Sequence, residues 1–270
     1  IKEQIENFKS EEDKIKIKII VITDGSRILG FGDLGYNGYP ICDAKIFIHR
    51  IFSDYSKDEC LPVFIDLGTN NEDLLRDKNY KGCLKERESI DKEVKKIIYI
   101  VDRLNNFFPN AVIHFEDFSY PKSKLVLQEC IKEYYNIFND DIEGTAVIVL
   151  VELLNLTNKI KIDLLNTKIL FLGSGSVTYG ILNLMEEYFN IDKDNIILVD
   201  SQGLVGRREF YSDDLKRSYA KISSEQKDIS KIIKDNCHNG IENEPNHRVT
   251  RINIIVTGIM PAKKRIDKKK

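Results

Sequence analysis

Residues Lys168–Asp200 read KILFLGSGSVTYGILNLMEEYFNIDKDNIILVD, and this stretch decides the fold. Lys168 to Leu172 is a short apolar strand that runs straight into Gly173-Ser174-Gly175. An amphipathic helix to about Phe189 follows, and Ile196 to Asp200 is the next strand. Strand, glycine turn, helix, strand and closing acid, in that order, form the setting of a Rossmann dinucleotide site. Glycines let the backbone approach a pyrophosphate seated on the helix N-terminus. Asp200, twenty residues after Gly180, can accept hydrogen bonds from a ribose. The third small position holds Thr178, bulkier than the usual Gly or Ala. The plain alternative is a βαβ turn with an exposed aspartate.

Working outward toward the N-terminus, Ile1, Ile5 and Phe8 suggest a short amphipathic helix, and Ile17 to Thr23 a β-branched strand ending at the Asp24-Gly25 turn. Gly30, Gly32, Gly35 and Gly38 are too many for a regular element. Pro62 to Leu67 reads as a second strand, Ile90 to Leu104 as a helix and Ala111 to Phe115 as a buried strand. Ile142 to Lys159 reads as a strong helix. Toward the C-terminus, Tyr211 to Arg251 is polar and reads as one helix and a long loop; Ile252 to Thr257 is one more strand before a basic tail, Lys263 to Lys270. The alternation predicts an α/β protein with a mostly parallel sheet.

Composition agrees with a globular chain of 270 residues, 42% hydrophobic and 31% charged. With 41 basic and 43 acidic residues the net charge is −2, so nothing global steers the molecule to nucleic acid or an anionic membrane. The longest apolar stretch, Ala146 to Leu156, is broken by Glu152 and Asn155 and falls short of the ~20 residues a span requires. Cys42, Cys60, Cys83, Cys130 and Cys237 are scattered without a CxxC pair, which implies reduced thiols and an intracellular compartment. The first residue is Ile1, without a secretory or transit signature, which suggests a sequence that starts inside a longer chain.

Four acids stand at element ends: Glu116 and Asp117 after a strand, Asp140 and Asp141 before a helix. Adjacent acids converge on one hard cation only where the regular backbone stops, because side chains alternate along a strand. The alternative makes Asp140 a helix cap with Glu143 at the third position. Lys45 and Arg27 are candidates for anion binding or proton transfer, a desolvated lysine having a lowered pKa; alone, each reads as a surface charge. His49, His114, His238 and His247 show no ligand spacing and are discounted, Cys237-His238 with His247 being a weak zinc pattern.

Taken together, VITDGSRILGFGDLG (Val21–Gly35), LPVFIDLGTNN (Leu61–Asn71), FEDF (Phe115–Phe118), FNDDIEGTA (Phe138–Ala146), ILFLGSGSVTYGI (Ile169–Ile181) and VDSQGL (Val199–Leu204) resemble malic enzyme, in order and in spacing. The resemblance implies an NAD- or NADP-dependent oxidoreductase that decarboxylates malate to pyruvate and CO2. It assigns Glu116, Asp117 and Asp141 to a catalytic Mg2+ or Mn2+, Lys45 to the general base with Asp140 as its neighbouring acid, and Arg27 to substrate carboxylate and cofactor. Gly173, Ser174, Gly175, Ser176, Asp200 and Ser201 fall in the dinucleotide site, and Ser201 does not separate NAD from NADP. The family's proton-donating tyrosine and its malate-contacting asparagines have no counterpart in these residues. The resemblance also implies a mostly parallel catalytic domain over residues 1–139 and an incomplete Rossmann domain over 140–270, whose unfinished sheet makes the isolated segment expected to be unstable. Two other readings stay open: a malolactic-type enzyme that keeps NAD bound and releases lactate, and an inactive remnant that binds metal, nucleotide or a full-length subunit. A homo-oligomer, dimer or tetramer, is expected of the complete protein.

Overall fold

The computed structural model describes residues 16–134, 136–205, 214–220, 228–238 and 252–257. The expected N-terminal helix, His247 and the basic tail lie outside them. The chain divides between Asp141 and Ile142 into two compact units, which places all four acids in the first.

The first unit is built on β1 (Ile19–Thr23), whose five β-branched residues are all buried. Its partners are β2 (Cys60–Phe64), β3 (Val112–Phe115) and β4 (Ile137–Asn139). The sheet order is β2-β1-β3-β4 and every pairing is parallel. Helix α1 (Pro40–Ser53) returns the chain from β1 to β2 and packs Cys42 and Ile46 onto Ile19 and Val21. Between β2 and β3 run the short α2 (Glu72–Arg76) and α3 (Ile90–Phe107), whose Val94, Ile97, Val101 and Leu104 are buried. Their i, i+3, i+4 spacing explains why that helix was legible. Helix α4 (Lys122–Glu133) connects β3 to β4. The chain leaves β1 first to one side and then to the other, so the topological switch falls between β1 and β3. Ligands of open parallel sheets bind outside the carboxyl ends of strands at such a switch.

The second strand occupies Cys60–Phe64 rather than Pro62–Leu67. Pro62 is tolerated because β2 lies at the sheet edge, where a missing N–H costs little.

The second unit opens with α5 (Thr145–Ile160), then β5 (Lys168–Leu172), α6 (Ser176–Phe189), β6 (Ile196–Asp200) and the short β7 (Gly203–Leu204). Two helices, α7 (Asp214–Ser218) and α8 (Ile229–His238), stand where one was expected, before β8 (Ile252–Thr257). The order is β7-β6-β5-β8, with β6 and β8 parallel to β5 and β7 antiparallel to β6. Its switch falls between β5 and β8, beside the glycine turn. Among the described residues no helix is long and apolar enough to cross a membrane.

Candidate active site

Glu116 and Asp117 follow directly on β3, and the backbone leaves the strand at once. Asp117 has φ 58°, a left-handed conformation that non-glycine residues rarely adopt and that surrounding bonds must hold. The Asp117 N–H donates to Asp141 Oδ2 at 2.7 Å, and the Arg27 N–H donates to the Asp117 carbonyl at 3.0 Å. The Ser119 N–H donates to Ser26 Oγ at 2.8 Å, and that hydroxyl donates to Asp24 Oδ1 at 2.6 Å. The loop after β1 thus braces the loop after β3, and two adjacent acids face one place.

Beyond β4 the chain forms a π-helical turn, Asp140–Gly144, before α5. Such turns occur mostly as single-turn bulges, frequently at functional sites. The expected helix start at Ile142 is corrected by this turn. The capping reading of Asp140 gives way as well: the α-helix begins at Thr145 with Gly144 at its cap position and no side-chain cap bond, and Asp140 Oδ2 accepts from Lys45 Nζ at 2.5 Å.

Carboxylate oxygens of Glu116, Asp117 and Asp141 lie within 4.8 Å of one another. Glu116 and Asp117 are each 4% exposed, and Asp117 Oδ2 is buried without a hydrogen-bond partner. Burial, then the negative charges of Asp141 and Glu116, push the Asp117 carboxyl up to about 8. Burial and Glu116 push Asp141 in the same direction. Two buried carboxylates and a half-buried third, one of them with an unmet oxygen, have the hard-oxygen chemistry that Mg2+ or Mn2+ takes.

Lys45 projects from α1 into the same place. Burial pulls its pKa down, but Glu116, at 3.2 Å, and Asp140 outweigh it and push the ammonium up to about 12. The lowered pKa expected from desolvation is therefore corrected: in the metal-free protein the carboxylates win. His114, Glu116 and Asp140 form a second converging group, but there the Lys45 ammonium already supplies the cation.

Sequence reasoning missed several neighbours. His114, discounted on the sequence, is buried and its Nε2 lies 2.8 Å from Glu116 Oε2. Lys122, 1% exposed, pairs with Asp24 and, at 2.6 Å, with Glu93. Arg87 joins Asp24 Oδ2 at 3.2 Å and Asp33 at 2.9 Å. No local motif announces these ion pairs, because their partners lie on other elements. Arg27 is half-buried, and among the described residues its guanidinium has no carboxylate partner.

In the second unit Gly173 has φ 116°, open only to glycine, and its N–H donates to the Val199 carbonyl at 2.8 Å. A Cβ on Gly175 would meet nothing within 4 Å, so the turn is open to a ligand. Thr178 earns its place by donating its hydroxyl to the Gly173 carbonyl at 2.7 Å. Ser174 is buried, Ser176 half-buried and Ser201 exposed. Asp200 Oδ1 accepts from the Gln202 N–H at 2.8 Å, while Oδ2 lies 3.2 Å from Lys216 Nζ.

The fold and these sites define a two-unit α/β protein with a carboxylate centre in one unit and a Rossmann-type glycine turn in the other. The family models for the malic enzyme N-terminal domain and the malic enzyme NAD binding domain match residues 1–131 and 142–241. The chain belongs to the malic enzyme family. It is 32% identical over 242 residues to a malolactic enzyme of Lactiplantibacillus plantarum, covering 84% of this chain and 44% of that protein. It is 35% identical over 211 residues to an NAD-dependent malic enzyme of Shewanella woodyi, covering 76% and 37%. The crystal structure of Entamoeba histolytica malic enzyme shares the fold with a TM-score of 0.63 at 20% identity, over 95% of this chain and 48% of that one. The chain thus spans about two fifths of the length of the curated relatives it matches.

Proposed function

We propose that this chain carries catalytic groups for the NAD- or NADP-dependent oxidative decarboxylation of malate to pyruvate and CO2. The observation that supports it is the convergence of Glu116, Asp117 and Asp141 beside the Lys45–Asp140 pair. In this reading residues 1–139 form the catalytic domain and residues 140–270 the dinucleotide-binding domain. When bound, Mg2+ or Mn2+ supplies Lewis acidity at a substrate oxygen, and NAD or NADP accepts the hydride.

Lys45 Nζ takes the proton of the malate C2 hydroxyl. Asp140 and Glu116 keep its amine in place, and their charge accounts for its raised pKa. A cation held by Glu116, Asp117 and Asp141 would share the Glu116 charge and so ease the hold of that carboxylate on the Lys45 proton. Arg27, without an acidic partner among the described residues, holds a substrate carboxylate and contacts the cofactor. Ser174, Gly175 and Ser176 present backbone N–H groups at the start of α6 to a pyrophosphate, Gly173 forms the turn that lets it approach, and Asp200 and Ser201 face the ribose.

The near-balanced charge supports a small-molecule substrate rather than nucleic acid or a membrane surface. Cys42, Cys60, Cys83 and Cys130 are free thiols, which supports an intracellular compartment. Exposed Phe47, Ile48, Ile51 and Phe52 on α1 support a homo-oligomer, dimer or tetramer.

The likeness to a malolactic enzyme favours a second reading, in which NAD is retained and lactate leaves. Incubating the full-length protein with malate, Mn2+ and NAD or NADP separates the two. Pyruvate with stoichiometric NADH or NADPH supports the first reading, and lactate without net reduced cofactor supports the second. Mn2+ binding without turnover would leave the inactive, binding-only protein.

A further inference from the structure

A chain of hydrogen bonds behind Glu116 is not used by the reaction as described. His114 Nε2 lies 2.8 Å from Glu116 Oε2, and His114 Nδ1 lies 2.9 Å from His49 Nε2. His114 is 2% exposed, so no bulk water competes for its ring nitrogens. The Phe138 ring, 4.5 Å away between centroids, packs against its imidazole.

An ionised carboxylate only accepts, so His114 Nε2 carries the hydrogen that Glu116 receives. A neutral ring then leaves Nδ1 bare, and the group facing it is His49 Nε2–H. His49 therefore selects the tautomer of His114, and His114 orients Glu116. On the opposite side Lys45 Nζ holds Oε1 at 3.2 Å. Each carboxylate oxygen keeps a second lone pair, so both bonds are compatible with metal ligation.

We infer that His114 is a positioning residue for Glu116, itself oriented by His49, and that the histidine pair presets this carboxylate for a divalent cation. The inference rests on the proposed cation site. Partners that orient ligating groups typically carry 10- to 100-fold in metal affinity, because an unsupported ligand must be ordered at binding.

The test is titration of the full-length protein with Mn2+ alone, followed by the electron paramagnetic resonance signal of free Mn2+. His114→Leu should weaken Mn2+ binding about 10- to 100-fold. His114→Gln should recover most of the affinity, because its amide nitrogen still donates to Glu116. His49→Phe, at a half-exposed position, should show a smaller loss. A role in packing alone would lower the Tm without separating Leu from Gln in affinity. Wild-type affinity in a folded His114→Leu variant overturns the positioning role while the cation site stands. If that variant does not fold, wild-type affinity in His49→Phe overturns it instead. Absence of Mn2+ binding by the unaltered protein overturns this inference and the metal part of the proposed function together.

Discussion

Asp141 is held between two tasks: its Oδ2 accepts from the Asp117 N–H, and its carboxyl group is one of the three that converge. Asp141→Asn should abolish turnover mainly by weakening Mn2+ binding, since an amide keeps the shape and loses the charge; wild-type activity at ordinary Mn2+ concentration would contradict the assignment. Lys45→Ala should lower kcat about 10²- to 10⁴-fold with Mn2+ affinity nearly intact, the range expected for a lost general base. A large loss of Mn2+ affinity would count against that role. The acids also set a pH dependence. The folded-state pKa values of Asp117 and Asp141 lie above their unfolded values, so the protonated forms favour the fold. Their contribution is complete below pH about 4 and lost as pH rises through the folded values, near 8 for Asp117. The Tm of the metal-free protein should therefore fall over that window, and Mn2+ should restore it; a pH-independent Tm difference would refute the mechanism. These acids were legible because adjacent carboxylates at element ends need no distant information. His114, Lys122 and Arg87 were not, because their partners come from other strands and helices.

Regular elements with a strong period could be read closely, as the Lys168–Leu172 strand, the helix to Phe189 and the Ile252–Thr257 strand show. The π-turn at Asp140–Gly144 could not, since nothing local distinguishes it from the first turn of an α-helix. Helices α1 and α4 also escaped notice, because each carries a half-polar sequence whose buried residues are chosen by the sheet beneath. Packing of α5 against α6 depends on Gly180, where a Cβ would collide with the Ile142 carbonyl and come within 3.0 Å of the Ala146 methyl. Gly180→Ala should cost about 1–3 kcal/mol, the usual penalty for overpacking. Chemical denaturation measures it, and an unchanged midpoint would show that the helices can separate without loss.

At the scale of the molecule, each sheet has its switch beside the residues singled out from sequence: β1/β3 next to the acids, β5/β8 next to the glycine turn. The fold class was legible because alternating strands and helices constrain sheets strongly. The assembly was not, since oligomer surfaces have no periodic signature. Sedimentation of the full-length protein should give a dimer or tetramer, and a monomer at assay concentration would refute that expectation. The central claim is that Glu116, Asp117 and Asp141 together hold a divalent cation. Anomalous scattering at the manganese edge from crystals grown with Mn2+ tests it most directly. One peak bounded by these three carboxylates is expected, with Lys45 outside its coordination shell. A peak among His114, Glu116 and Asp140, or none in this unit, would contradict it.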